Sequence, residues 1–511
     1  MKLQYFNKSF KINRKLYDKC TDFVLNQEII VPDVKPDILE VLHKNGYVCI
    51  DRAQVVDGKI RLNGICDIEL IYMADNEQND IRGLSTQIEI NECIDVSNIC
   101  LSANIFTKPM ICSIECKVIN ERKVLVSVCI RTRIILENNE DVQYIDNISE
   151  DKNVQVLKDE FDVSTLNGYE MQNISLNEEI TIDNNEIVEL LENNIIVTNQ
   201  ESKVSYNKIL VKSDVVINMI FATDKNQLYT KQAILPLTGF IDMQGVDENS
   251  ILEINYSVLN KSVKLNDTME NKKIAINMEV MVLVKNYVNN KINVISDIYG
   301  LNRDIRFDNT SIQTEKIASF KNLDHCINQN VVLDDVSNDI YSVNVSVKDY
   351  DIKKVNDKLH IDGEMKIDVI CRNSNKITTK VFEVPFNHAY DDPNILNSNA
   401  YDVDINIQNI NYKVNDCKLD INVYMCFKIK LKNINSVNSI SNIIEEELKP
   451  INNPSITVYY VKPNDSFWSI AKKFAVAMED IASYNELDLN TYILRPGMQL
   501  FIPKNNIRKV V

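Results

Sequence analysis

Along three stretches of this 511-residue chain, apolar residues fall on alternate positions. Ile60, Leu62, Cys66, Ile68, Leu70 and Tyr72 are separated by Arg61, Asn63, Asp67 and Glu69. Ile209, Val211, Val215, Ile217, Met219 and Phe221 repeat the pattern, as do Leu359, Ile361, Met365, Ile367, Val369 and Cys371. A period of two predicts strands with one face in a core and one in water. Turn chemistry precedes each run at the same place: Asp57-Gly58, Tyr206-Asn207 and Asn356-Asp357. Two of the three pairs suit tight hairpins.

These runs belong to a longer repeat. Leu25-Asn-Gln-Glu-Ile-Ile-Val-Pro-Asp33 returns as Leu176-Asn-Glu-Glu-Ile-Thr-Ile-Asp183 and as Ile327-Asn-Gln-Asn-Val-Val-Leu-Asp334, the starts being 151 residues apart both times. Lys59 to Tyr72, Lys208 to Phe221 and Lys358 to Cys371 align without a gap. Two anchors at one period define three copies of one unit. After the first anchor, Pro36 suits a first helical position, and Ile38, Leu39, Val41 and Leu42 give an apolar side, so a short helix is expected in each copy. The expected fold class is mainly β: three tandem antiparallel β-rich repeat domains, each with a short helix, over residues 1–150, 151–304 and 305–445. The unit is longer than a solenoid repeat, which predicts folded domains in tandem rather than a continuous stack. Polar joints are expected at Glu137 to Glu160 and Arg303 to Lys321. The clearest linker lies within Asn433 to Pro454, with 446–456 as its centre.

The last 55 residues change period. Phe467, Ile470, Ala471 and Phe474 form one apolar stripe at helical spacing, Asp465 can cap that helix, and Pro496-Gly497 turns the chain into a last strand from Gln499 to Ile502. From Tyr460 to Pro503 the text resembles a LysM domain, carried by Val461-Lys-Pro, Asp465-Ser-Phe-Trp-Ser-Ile-Ala-Lys-Lys-Phe474, Asn485-Glu-Leu and Leu494-Arg-Pro-Gly497. The resemblance implies a small α+β (βααβ) module, here 457–505. Members that bind N-acetylglucosamine polymers usually carry Gly where this chain has Asn464. The second helix starts at Ala477-Met478 without the usual Ser or Thr cap. Both departures count against glycan binding, though Asn tolerates left-handed backbone. A second resemblance lies in copy one: Ile29-Ile-Val-Pro-Asp-Val-Lys-Pro-Asp-Ile-Leu39 is similar to the opening of the SPOCS domain, a β-rich domain of sporulation proteins. SPOCS repeats followed by one LysM module form the layout of clostridial spore-coat morphogenetic proteins. That likeness implies a mother-cell protein at the forespore surface that binds the coat ATPase SpoIVA, chiefly through LysM, and other coat proteins.

Composition narrows the classes further. A formal net charge of −17 repels nucleic acids and anionic lipid surfaces. No run of about 18 apolar residues predicts membrane insertion, and the first residues lack the apolar run of a signal peptide, which together predict a cytoplasmic protein. Only 10 Gly argue against phosphate-cradling loops. Eight of the 12 Cys lie between Cys20 and Cys129 without a CxxC pair and are expected to be mostly buried small hydrophobes. Asp33, Asp37 and Glu40 cluster, but Asp37 and Glu40 do not recur as a set in the other copies, and acidic residues at a helix start suit its dipole, so a structural role there is expected of them. His43, His325, His360 and His388 stand in no motif with a nucleophile. No catalytic residue, metal site or cofactor is expected.

The candidate partner-binding residues lie in the LysM-like module. Trp468 is the single tryptophan and sits one position off the apolar stripe, which predicts a place at the edge of the core or exposed. Lys472 and Lys473 follow it, and from 451 onward seven Lys or Arg stand against five acids in an otherwise acidic chain. Asn464 and the Ile493-Leu494-Arg495 loop complete the set. The competing reading is a peptidoglycan- or chitin-binding LysM protein.

Overall fold

In a computed structural model of the chain, the described residues are 4–96, 103–149, 151–184, 186–267, 272–333, 339–373, 376–415, 417–446, 456–489 and 493–503. The first repeat contains β1 (Tyr5–Ile30), β2 (Ile38–Val56), β3 (Lys59–Ala74), β4 (Ile81–Asp95), β5 (Asn104–Asn120) and β6 (Lys123–Ile148). The second contains β7 (Val154–Ile182), β8 (Ile187–Ser205), β9 (Lys208–Thr223), β10 (Leu228–Asp242), β11 (Ile251–Asp267) and β12 (Lys272–Gly300). The third contains β13 (Asp304–Val332), β14 (Asp339–Val355), β15 (Lys358–Asn373), β16 (Lys376–Asp391), β17 (Ala400–Asn415) and β18 (Lys418–Glu446). The module adds β19 (Ile456–Tyr460), α1 (Phe467–Phe474), α2 (Met478–Tyr484) and β20 (Gln499–Pro503).

Each repeat is a pair of three-stranded antiparallel sheets. In the first, β2-β3-β4 faces β1-β6-β5, and the other two copies use the same order. The alternating runs form the middle strands β3, β9 and β15, with Ile60, Leu62, Cys66 and Ile68 fully buried in copy one. Val124, Val126, Val128 and Ile130 of β6 pack with Cys66 and Ile68, and Ile134 and Leu136 pack with Ile60 and Leu62, all of them buried. Removing each such side chain from water contributes roughly 1.5–3 kcal/mol. The hairpin turns are left-handed, with φ of 52° and 75° at Asp57 and Gly58, 55° at Asn207, and 49° and 62° at Asn356 and Asp357.

The short helix expected after the first anchor is absent from all three copies among the described residues; Ile38–Val56 is strand β2. The register of β2 against β3 slips between Ile38 and Glu40, Val41 and His43, and Ile50 and Arg52. Each bulge adds a residue to the alternation, so closely spaced bulges imitate a helical period. Among the described residues of the repeats, the one helical turn, Pro393–Ile395, joins β16 to β17 in copy three.

The expected polar joints are strand as well. The first half of β1 pairs with the second half of β6, Tyr5 to Ile148 through Lys15 to Glu137, and extends the sheet into a two-stranded ribbon. β7 with β12 and β13 with β18 make equivalent ribbons. Residues 433–446 therefore belong to β18, and 447–455 lie outside the described residues, as do Asp334 and the basic residues Lys504, Arg508 and Lys509. The ribbon text is polar because only a few side chains per strand meet a neighbouring ribbon: Ile145, Ile295 and Ile440 join one cluster with Ile148 and Ile298.

The copies are tandem in sequence and closed into a ring in space. Ile71, Ile220 and Ile370, equivalent positions of the three middle strands, share a second cluster. Beside it Asn45 Nδ2 and Asn344 Nδ2 each donate to Glu192 Oε1 at 3.1 Å, and Asn194 Nδ2 donates to Asn344 Oδ1 at 3.1 Å. Buried His43 of copy one lies 3.1 Å from Glu192 of copy two and 3.0 Å from Thr379 of copy three. Ion pairs cross every junction: Lys285 with Glu137 at 2.9 Å, Lys430 with Glu253, and Lys108 with Asp404. No described helix is long and apolar enough to cross a membrane.

Of the cysteines, Cys49, Cys66, Cys371 and Cys426 are buried, whereas Cys20, Cys93 and Cys112 are exposed on the wet faces of their strands, contrary to expectation for the N-terminal group.

A LysM module seated on the second repeat

The C-terminal module is a two-stranded sheet, β19 against β20, carrying α1 and α2. Ile470, Ala471, Ile481, Leu500 and Ile502 make its core, with Phe467 and Phe474 packed around them. The cap of α1 is Ser466, not Asp465. Ser466 Oγ accepts from Ser469 N at 3.1 Å, and Ser469 Oγ accepts from Ser466 N at 2.9 Å, a reciprocal capping box. The Asp465 carboxylate turns back to accept from Lys462 N and Tyr459 Oη, both at 2.8 Å, and these bonds hold it below the usual carboxylate range. Ala477 opens α2 without a side-chain cap, as its sequence suggested.

The seven candidate partner-binding residues divide between two faces. Asn464, in left-handed backbone at φ 70°, and Ile493 and Arg495 are exposed, while Leu494 tucks its side chain against the core. Val461 binds the two loops together: its N–H donates to Met498 O at 2.9 Å and its carbonyl accepts from Gly497 N at 2.8 Å. Ile493 is 82% exposed, the most open large apolar side chain among the described residues of the module. Lys473 lies over the Tyr459 ring, 4.8 Å from its centroid.

Trp468 and Lys472 face the second repeat instead. Trp468 Nε1 donates to Asp297 Oδ2 at 2.7 Å, and Lys472 Nζ lies 2.5 Å from Asp297 Oδ1, so both oxygens of one carboxylate are used. Tyr299 packs edge-on to Trp468 with centroids 4.9 Å apart, and its hydroxyl donates to Val476 O at 2.9 Å. Burial pushes the Tyr299 phenol well above its usual range. Lys472 also lies 5.0 Å from the ring centroid of Phe307 in β13. Tyr299 and Leu301 thereby join the module's own core.

Asp297 and Tyr299 were not among the sequence candidates, yet the repeat marks them. Ile145-Asp-Asn-Ile148, Ile295-Ser-Asp-Ile298 and Ile440-Ser-Asn-Ile443 occupy equivalent ribbon positions. Asp297 stands where the other copies have Asn147 and Asn442, and Tyr299 stands where they have Ser149 and Ile444.

Elsewhere the candidate clusters are structural. Arg122 donates to Asp37 at 2.5 Å and lies 3.5 Å from Asp33, tying the Pro32–Asp37 turn to the β5–β6 hairpin. Among the described residues, no group of three or more His, Cys, Asp or Glu is placed to hold a metal ion. A cavity of about 1470 Å³ lies between the three repeats, but its Arg131, Arg133 and Lys108 are paired with Asp22, Asp18 and Asp404.

Residues 37–119 and 338–415 match the family described as SipL, SPOCS domain, and residues 459–503 match the LysM domain. The chain thus carries SPOCS domains and a C-terminal LysM module, which support a sporulation-related protein. More particularly, the SPOCS matches in copies one and three, followed by one LysM domain, match the layout of a SipL-like protein. Copy two lies outside the matched ranges and repeats their strand order. No curated protein and no solved structure matches the chain.

Proposed function

We propose that this protein is a non-catalytic spore-coat morphogenetic scaffold that binds a SpoIVA-like coat ATPase, chiefly through its LysM module, and promotes encasement of the forespore by coat. The families it carries are binding domains. The observation that carries the reading is the layout itself: a closed β ring presenting one small module, whose exposed loops offer apolar Ile493 beside Arg495 and Asn464. An apolar side chain rimmed by polar groups is the composition of a protein-binding patch. The acidic surface disfavours nucleic acid and anionic membrane as partners. The protein acts in the mother-cell cytoplasm at the forespore surface, where other coat proteins join it.

A fluorescent fusion of the full chain in a sporulating clostridium tests this. It is expected to ring the forespore and to disperse when the coat ATPase is deleted. A fusion that stays dispersed with the ATPase present, or rings the forespore equally without it, contradicts the proposal.

A further inference from the structure

The Trp468–Lys472 face carries tryptophan, a residue type enriched in binding hot spots, and it is occupied by the chain's own second repeat. Four features make this seat specific. Asp297 uses both carboxylate oxygens, one on the indole N–H and one on the Lys472 ammonium. Tyr299 packs edge-on to the same indole and donates to Val476 O. Leu301 extends the contact into the module core. Asp297 and Tyr299 are found together in only one of three otherwise equivalent ribbons.

The contact joins parts that are separately tethered. The module follows copy three, whose β18 ends at Glu446, but it sits on β12 of copy two. Ten residue steps separate Glu446 from Ile456, a reach of up to about 35 Å. A short tether gives an effective concentration in the mM range, so a modest contact suffices to keep the module seated. The seat is also small and partly polar, its carboxylate 22% exposed, which suits a contact that opens.

We propose that Asp297 and Tyr299 form a latch that masks the Trp468–Lys472 face of the LysM module, and that this face receives a partner only when the latch opens. The displacing partner is a protein segment that brings a carboxylate next to an aromatic ring, the chemistry of Asp297 and Tyr299. The gating half of this inference rests on the proposed binding to a coat ATPase; the latch itself does not.

The single tryptophan reports the latch directly in the full chain. Asp297→Ala is expected to red-shift Trp468 emission and raise its quenching by acrylamide, with far-UV circular dichroism unchanged. Tyr299→Phe, which keeps the ring but removes the hydroxyl, is expected to do the same to a smaller degree. Glu160→Gln on the same ribbon, whose carboxylate pairs with Lys291 at 2.7 Å, is expected to do neither. Unchanged emission and quenching in folded Asp297→Ala overturns the latch. Hydrogen bonds to a charged group shift such equilibria by about tenfold or more, so Asp297→Ala is expected to bind purified coat ATPase about tenfold more tightly than the parent. A shifted emission with equal affinity in both proteins overturns the gating. If emission shifts but neither protein binds the ATPase, the latch stands and the proposed partner is wrong.

Discussion

Single residues decide how closely strands approach. A Cβ at Gly64 would lie 2.1 Å from Cys49 O and 2.9 Å from Ile50 Cα, under the one-residue bulge of β2. Copy three keeps Gly363 at this position beside a similar bulge. Copy two carries Ser213, and there β8 also slips by one residue, with Asn199 and Gln200 opposite Ser213 between Thr198 and Glu201. Gly64→Ala is therefore expected to cost about 1–3 kcal/mol by overpacking, read as a lower denaturation midpoint in urea. An unchanged midpoint would mean that β2 moves aside freely. In the module, Ile470→Ala removes a fully buried core side chain and is expected to cost about 2–5 kcal/mol, unfolding the module and abolishing partner binding. Trp468→Ala keeps the helix stripe intact. Its expected result is a module that stays folded but separates from copy two, with partner binding weakened by ~2 kcal/mol. Thermal melts of both variants beside binding assays distinguish them. If Trp468→Ala melts the module as badly as Ile470→Ala, its main role is core packing.

At the scale of elements, the sequence was read well where one rule applied and misread where two periods overlapped. β3, β9 and β15 alternate cleanly because each is a middle strand with a straight register on its β4, β10 or β16 side. β2 was misread as helix because its bulges shift apolar residues by one position. The ribbons resemble linkers in sequence because their buried positions are sparse, and the side chains these positions pack against lie in other repeats, which no local pattern reveals. The βααβ order of the module was legible throughout, but its first cap was assigned one residue early. Ser466, not Asp465, bonds Ser469 N. Ser466→Ala is thus expected to destabilise α1 by roughly 0.5–2 kcal/mol, seen as faster amide exchange confined to the module. Exchange unchanged in α1 would shift the capping role back to Asp465. The latch was the least legible feature, since Asp297 and Tyr299 stand out only when the three copies are laid side by side.

For the whole molecule, ring closure depends on polar groups buried between repeats. Glu69 of copy one accepts from Asn193 N at 3.0 Å and lies 3.8 Å from Lys261. Burial pushes its carboxyl up to about 7, against the pull of Lys261 and Asn193. A carboxyl raised above its unfolded value contributes most below that value, about pH 4.3, and loses its contribution as pH rises through 7. Asp402 has the opposite sign. Burial opposes ionisation there too, but Lys432 and Lys15 outweigh it and hold the carboxyl well below its usual range, so its contribution is lost as pH falls through that lowered value. Glu69→Gln removes the alkaline cost. Its melting temperature relative to the parent is expected to be more favourable at pH 8 than at pH 5, and an equal difference at both would contradict the buried-charge account. The ring in turn holds the LysM module at a fixed place on copy two, where Asp297 meets Trp468 and Lys472.

The most direct test of the scaffold reading is a titration of purified full-length protein against immobilised coat ATPase, run beside sedimentation with purified peptidoglycan. The account predicts saturable binding to the ATPase that Ile470→Ala abolishes, and no co-sedimentation with the glycan. Saturable binding to peptidoglycan, with none to the ATPase, would contradict it and identify the module as a glycan reader.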